Sequence, residues 1–211
     1  TFRWGGVYNN WNRAETTFTD LNVFAEFTPQ LNDSCKCCKS LLLANIHPQL
    51  QLQVLQQIEK YNHVACDTMN YWIGLCPDEL AEVLKKVDLV FMNEDEIKDF
   101  TKRKDIFSAA RELLKLGPQW IIVKRGEYGA VAIARDEMFF FPAYPVSEVI
   151  DPTGAGDVFA GAFMGYLARH PQLCSAVVKD AMRYATVLAA LNVQNFSIRG
   201  ILGTSLNEIN K

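Results

Sequence analysis

Seven residues, Asp151-Pro152-Thr153-Gly154-Ala155-Gly156-Asp157, run directly into the apolar, small-residue stretch Val158-Phe159-Ala160-Gly161-Ala162-Phe163-Met164-Gly165-Tyr166-Leu167-Ala168. Asp-Pro initiates a turn, and two glycines lift the steric bar to unusual backbone angles. The stretch that follows has the character of a buried helix packed closely on its neighbours. The glycines then stand at a helix N-terminus, where unpaired N–H groups and the positive end of the helix dipole favour an anion. Asp157 falls in the first helical turn. A carboxylate there is either a simple dipole partner or a base poised beside an anion site. The second arrangement suits phosphoryl transfer: backbone N–H groups hold the developing charge while the carboxylate takes the proton of an attacking hydroxyl. The segment is no Walker A loop, because no Gly-Lys-Ser/Thr follows. Nor is it a dinucleotide fingerprint, because Phe159 occupies the third glycine position.

Upstream, apolar strands alternate with amphipathic helices. Residues 40–46 read as a strand, and His47-Pro48 starts a helix to about Lys60 with Leu50, Val54, Leu55 and Ile58 on one face. Residues 63–68 read as a strand, 77–87 as a helix with proline in its first turn, and 88–92 as a buried strand. Further strands are expected at 120–123 and 130–134, residues 139–144 then reach the central motif through Pro142 and Pro145, and a second apolar helix is expected at 176–193. This alternation predicts an α/β fold, a mostly parallel sheet with helices on both faces and ligands beyond the C-terminal strand ends. Near the N-terminus, residues 1–4 and 21–27 read as strands, the latter alternating Leu21, Val23, Ala25, Phe27 against Asn22, Phe24, Glu26. The polar residues 5–20 between them form either a flap over a ligand or an ordinary hairpin connection.

With 211 residues and 49% hydrophobic content, the chain is most simply one domain, residues 1–211, with 1–30 a candidate lid or substrate flap. Twenty-one basic against 24 acidic residues leave a formal charge of −3, no footprint for nucleic acid or an acidic membrane. Its apolar runs fall short of a transmembrane span, and without a signal-peptide pattern the cytoplasm is the default location. Cys35-x-Cys37-Cys38 invites a metal, but no Cys-x-x-Cys pair exists and His47 and His63 lack zinc-like spacing to it. A surface loop of reduced thiols is the expectation.

The run from Asp151 to Met164 resembles the C-terminal signature of the ribokinase-like (phosphofructokinase B) carbohydrate and nucleoside kinases at every restricted position. The resemblance implies that Asp157 is the catalytic base and that the Gly154, Ala155 and Gly156 backbone is the anion hole. A second similarity is Asn93-x-x-Glu96 after a strand. Asn93 and Glu96 suit a capping box, yet in the family this motif positions magnesium and the nucleotide phosphates, hard oxygen ligands being what magnesium prefers. The resemblance favours that role, with Glu96 acting on Mg2+ through water. The turn Lys124-Arg125-Gly126-Glu127-Tyr128-Gly129 resembles the family's nucleotide-side turn, placing Lys124, Gly126 and Gly129 at ATP. Thr186 stands where the family flanks adenine. Asp151 and Thr153 match positions that hold a monovalent cation, K+, in some members. Asp67, Thr68, Met69 and Asn70 follow a strand end and either line a crevice or close an Asx turn.

The expectation is an ATP- and Mg2+-dependent kinase acting on a hydroxyl of a sugar or nucleoside. Lid strands with exposed edges offer a route to a homodimer. The family's first strands and paired-glycine sugar-binding segment have no counterpart, so the chain is expected to lack its natural start. A binding or regulatory protein of the same fold, without turnover, is the alternative.

Overall fold

The computed structural model describes residues 2–11 and 13–204. Strands β1 (Arg3–Asn10) and β2 (Arg13–Asp20) pair antiparallel in a two-stranded sheet of their own. A single-turn helix α1 (Asp33–Lys36) precedes the alternating part: β3 (Ser40–Leu43), α2 (Pro48–Gln57), β4 (His63–Asp67), α3 (Asn70–Leu75), α4 (Pro77–Leu84), β5 (Leu89–Asn93), α5 (Glu94–Thr101), α6 (Ile106–Leu114) and β6 (Trp120–Lys124). Then β7 (Ala130–Ile133) and β8 (Met138–Phe141) run antiparallel to β6 and to each other, before α7 (Ala155–Leu167) and α8 (Ser175–Val193). The large sheet has the order β3-β4-β5-β6-β7-β8 and is parallel from β3 to β6. The parallel, helix-covered part from β3 to β6 is what the alternation predicts, and β7 and β8 make the sheet mixed.

Side chains of a strand alternate between faces, so each buried strand feeds two cores. Val64, Cys66, Val90, Met92, Ile121 and Val123 pack with α4 and α6 through Leu80, Leu84, Ala109 and Leu113. Ala65, Leu89, Phe91, Trp120 and Ile122 pack on the other face against Phe159, Phe163 and Leu167 of α7 and Val178 and Met182 of α8. Phe163 is fully buried and meets Phe91 edge-on at 5.3 Å. Burying a ring of that size contributes roughly 1.5–3 kcal/mol, which fixes α7 against the centre of the sheet. No helix among the described residues is long and apolar enough to cross a membrane.

The N-terminal part differs from the sequence expectation. Residues 5–20 are themselves the hairpin: β-branched and aromatic residues such as Val7, Tyr8, Thr16 and Phe18 outweigh the polar composition. The expected strand at 1–4 survives as the start of β1, Thr1 lying outside the described residues. The strand expected at 21–27 is a 3-10 turn over Asn22–Glu26. Its alternation serves no buried face, with Val23 72% exposed. The turn instead brings Phe24 and Phe27, three apart, into a stack at 5.5 Å, and Phe2 tilts onto Phe24 at 5.8 Å. A strand would split Phe24 and Phe27 between two faces. Asn22 adopts the left-handed conformation (φ 50°) that asparagine tolerates. Cys35 and Cys37 are exposed and Cys38 half-buried, all as free thiols.

Candidate active site

Period-two alternation dictates where the site forms. Counting from Ala65 and Phe91, the face covered by α7 next receives Asp67 at the end of β4 and Asn93 at the end of β5. Counting from Ile122, it receives Lys124 at the end of β6. Three neighbouring parallel strands thus present polar side chains at one sheet edge, on one face. The N-terminus of α7 faces the same edge, since a Cβ added to Gly156 would lie 3.2 Å from Lys124 Nζ.

Gly154 caps α7 with φ 79°, the left-handed region that costs glycine nothing and other residues strain. Ala155 N–H turns back onto the Pro152 carbonyl at 3.2 Å, so of the three expected anion-hole residues its amide is already engaged. Asp157 lies in the first turn and is exposed, in reach of a ligand. The preceding loop is held from several sides. Asp151 Oδ1 accepts from Thr153 N–H (2.9 Å) and Oδ2 from Ser197 N–H (3.3 Å), while Asn192 Nδ2 donates to the Thr153 carbonyl (3.2 Å). Burial works to raise the Asp151 pKa, but the bonds from Thr153 and Ser197 outweigh it and hold the carboxyl below its ordinary value. Asp151 and Thr153, matched in sequence to a cation site, therefore have structural duties as loop anchors.

Lys124 Nζ donates to both oxygens of Asp67, at 2.8 and 3.0 Å. Asp67 is buried and its Oδ1 also accepts from Thr68 N–H at 2.9 Å. Burial pulls the Lys124 pKa down, but Asp67, Glu96 and Asp157 together outweigh this, and the side chain stays an ammonium. Asn93 and Glu96 form a complete capping box: Asn93 N–H donates to Glu96 Oε2 (2.7 Å) and Glu96 N–H to Asn93 Oδ1 (2.8 Å). Glu96 is nonetheless buried and its pKa is pushed up to about 7, chiefly by burial and against the pull of Lys124. A cap needs no buried carboxylate, so capping alone does not account for it.

The turn after β6 is a 3-10 turn, Gly126–Tyr128. Gly129 closes it at φ 84°, where a Cβ would lie 1.9 Å from the Phe141 carbonyl oxygen. Arg125 Nε donates to Glu94 Oε2 at 2.9 Å. Thr186 sits on α8, which packs along α7, and its hydroxyl is buried without a hydrogen-bond partner.

On the other side of Asp67, the hairpin and the ends of β3 and β4 enclose a cavity of about 160 Å³ lined by Phe2, Thr19, Phe24, Asn45, Ile46, Met69 and Trp72. Trp72 Nε1 donates to Asn45 Oδ1 at 3.0 Å, which stiffens one wall. A larger cavity, about 600 Å³, opens at the opposite end of the sheet among Gly117, Trp120, Arg135 and Cys174. Its charged side chains stand in solvent and it is remote from the strand ends that carry the polar cluster, so size does not locate the site.

The structure brings Asp157, Gly154, Gly156, Lys124, Asn93 and Glu96 to one edge. Sequence reading left one contributor ambiguous and missed another. Asp67 was legible only as a crevice liner or turn residue, although a lone charge ending the buried strands 63–67 and 120–124 was the available signal. Asn192, buried in the last turn of α8, gave none.

Comparisons with known proteins find relatives of this chain. The chain is 40% identical over 97 residues to a cytidine kinase of Thermococcus kodakarensis, a match covering 44% of this chain and 34% of that protein. It is similar to the solved ribokinase of Thermotoga maritima (27% identity, TM-score 0.66), covering 85% of this chain and 59% of the other. A candidate ribokinase II of Escherichia coli, solved with ATP and Mg2+, shares the fold at a TM-score of 0.75 and 23% identity, covering all of this chain and 70% of that one. The chain spans about a third of the length of the curated relatives it matches. The model of the pfkB family carbohydrate kinases matches residues 7–202, and the chain belongs to that family.

Proposed function

We propose that this chain carries the phosphoryl-transfer centre of an ATP-dependent kinase acting on a hydroxyl of a sugar or nucleoside. One observation carries the reading. The exposed carboxylate of Asp157 stands in the first turn of a glycine-capped helix whose N-terminus abuts the Lys124 ammonium. Asp157 takes the proton of the acceptor hydroxyl, and the amides of Gly154 and Gly156 face the transferring group. The family's relatives named above are kinases of a nucleoside and a sugar, and ATP with Mg2+ was bound in one solved neighbour.

The residues present fit those two groups. Asn93, Glu96 and Asp157 supply oxygen atoms, the ligand type a hard divalent ion prefers, beside the Lys124 ammonium. The buried, unpaired Thr186 hydroxyl fits a polar edge of adenine, and the Gly126–Gly129 turn follows Lys124 at the end of β6. Asn93 and Glu96 would hold Mg2+ through water, which would supply charge neutralisation on the phosphates, and Lys124 adds a fixed positive charge. The acceptor occupies the cavity under the hairpin, residues 1–30 serving as its lid. Asp151 and Thr153 are assigned to K+, to be checked by the potassium dependence of turnover. The free outer edges of β1 and β2 pair in a homodimer, read by sedimentation.

Asp157→Asn keeps the size of the side chain and removes its basicity. Single-turnover transfer from ATP is expected to fall ~10²–10⁴-fold, with MgATP affinity near the parent's. Thermal melting should move little, since a first-turn carboxylate contributes roughly 0.3–1 kcal/mol. A folded variant with parent-like transfer removes Asp157 as the base.

A further inference from the structure

Asp67 belongs to no motif of the phosphoryl-transfer centre, yet it is the most buried carboxylate at the site and makes its tightest ion pair. Lysine is a poor fixed charge by itself. Its ammonium rides on a flexible four-carbon stem and gains little direction from packing. Here the stem leaves the end of β6, two residues beyond the level at which Asp67 sits on β4: Asp67 pairs with Phe91, Phe91 with Ile122 and Asn93 with Lys124. Lys124 therefore has to fold back along the sheet to reach Asp67, and in doing so its Nζ is set beside Gly156. Two of its donors go to the two oxygens of Asp67, and an ammonium has three. Asp67 is itself held by Thr68 N–H. The chain of contacts runs from the Thr68 backbone to Asp67, to Lys124 and to the anion-hole loop.

The geometry points to Asp67 as the positioning residue for Lys124: it fixes the ammonium against the loop at Gly154–Gly156 so that its remaining donor meets the transferring phosphoryl group. The inference rests on the kinase reading above. It also makes the choice of side chain intelligible. A carboxylate this close to an anion site opposes anion binding, so Asp67 costs ground-state affinity and is useful only if position matters more than net charge.

That trade-off supplies the test. In Asp67→Asn the ammonium is no longer clamped but its charge is freed. Single-turnover transfer is expected to drop roughly 10- to 100-fold, as for other displaced preorganised donors, while the Kd for MgATP stays equal or tightens. Damage to the fold would weaken both. The second arm repeats the substitution in a Lys124→Met background, where Asp67→Asn should change transfer less than about threefold because nothing remains to position. Asp67→Glu replaces Asp67→Asn if the amide variant does not hold its fold by thermal melting. It keeps the charge pair and displaces the ammonium, with the same loss expected. Parent-like transfer in the position-67 variant, or equal losses in both lysine backgrounds, overturns the role. A parent that binds MgATP but transfers to no sugar or nucleoside overturns the kinase reading, and the inference with it. A parent that transfers, with equal losses, overturns the inference alone.

Discussion

At the scale of single residues, Glu96 combines a cap with a buried carboxyl, and the two pull in opposite directions. One oxygen closes the capping box of α5, a bond that a neutral amide also makes. The buried negative charge has no comparable partner, and the pKa rises from 4.5 to about 7. The folded protein thus holds a proton that the unfolded chain releases. Stability from this group is complete below about pH 4.5 and is lost as pH rises through 7, by about 3 kcal/mol at most. Glu96→Gln escapes the loss. Its stability relative to the parent should therefore improve by roughly 2–3 kcal/mol between pH 5 and pH 8, read by urea unfolding in metal-free buffer. A pH-independent difference would mean that Glu96 ionises freely. The same variant should raise the Mg2+ concentration needed for half-maximal transfer, if turnover is as proposed. An unchanged requirement leaves Glu96 a cap and nothing more. Sequence alone exposed both readings, because a capping box and the family's metal motif share the spacing Asn-x-x-Glu. What it hid was burial, a property of the strands on either side.

At the scale of elements, legibility followed the number of neighbours an element needs. Strand stretches buried on both faces, such as residues 120–123 and 89–92, are apolar throughout and were readable from composition, as were the helices started by Pro48 and Pro77. The helix Ile106–Leu114 went unread although Asp105 caps it through Phe107 and Ser108 N–H. Residues 21–27 alternated correctly for a strand that has no buried face to serve. The turn between β6 and β7 shows how a single backbone position joins elements. Gly129 brings β7 back beside β6 and touches the end of β8 so closely that no Cβ fits. Gly129→Ala adds left-handed strain to a backbone clash and should destabilise by roughly 2–4 kcal/mol, measured by denaturant unfolding. Gly154→Ala meets strain without a clash, nothing lying within 4 Å, and should cost about 1 kcal/mol. Equal costs at the two positions would refute the contact with Phe141.

Across the whole molecule, the proposed function assigns two parts of the sheet edge to different ligands: β5, β6 and their turns with α7 and α8 to the nucleotide, and the hairpin and the ends of β3 and β4 around the 160 Å³ cavity to the acceptor. No sequence pattern reveals this division, because Phe2, Asn45 and Trp72 come from three distant segments that meet only in the fold. If the two sides are separate, a change on the hairpin should alter acceptor binding alone. Phe2 is the suitable probe. It lines the cavity, tilts onto Phe24 and is 40% exposed, so its removal leaves no sealed void. Phe2→Ala should lower stability by less than about 1 kcal/mol, as substitutions at exposed sites do. An aromatic wall contributes about 1–3 kcal/mol to a ligand packed on it, so the acceptor KM should rise roughly tenfold. KM for MgATP should not move, since none of the groups assigned to the nucleotide lines this cavity. The two constants are measured in one steady-state experiment on the best acceptor of a sugar and nucleoside panel. Parallel increases in both would mean that the hairpin closes over the whole edge as one lid. An unchanged acceptor KM would place the acceptor outside this cavity.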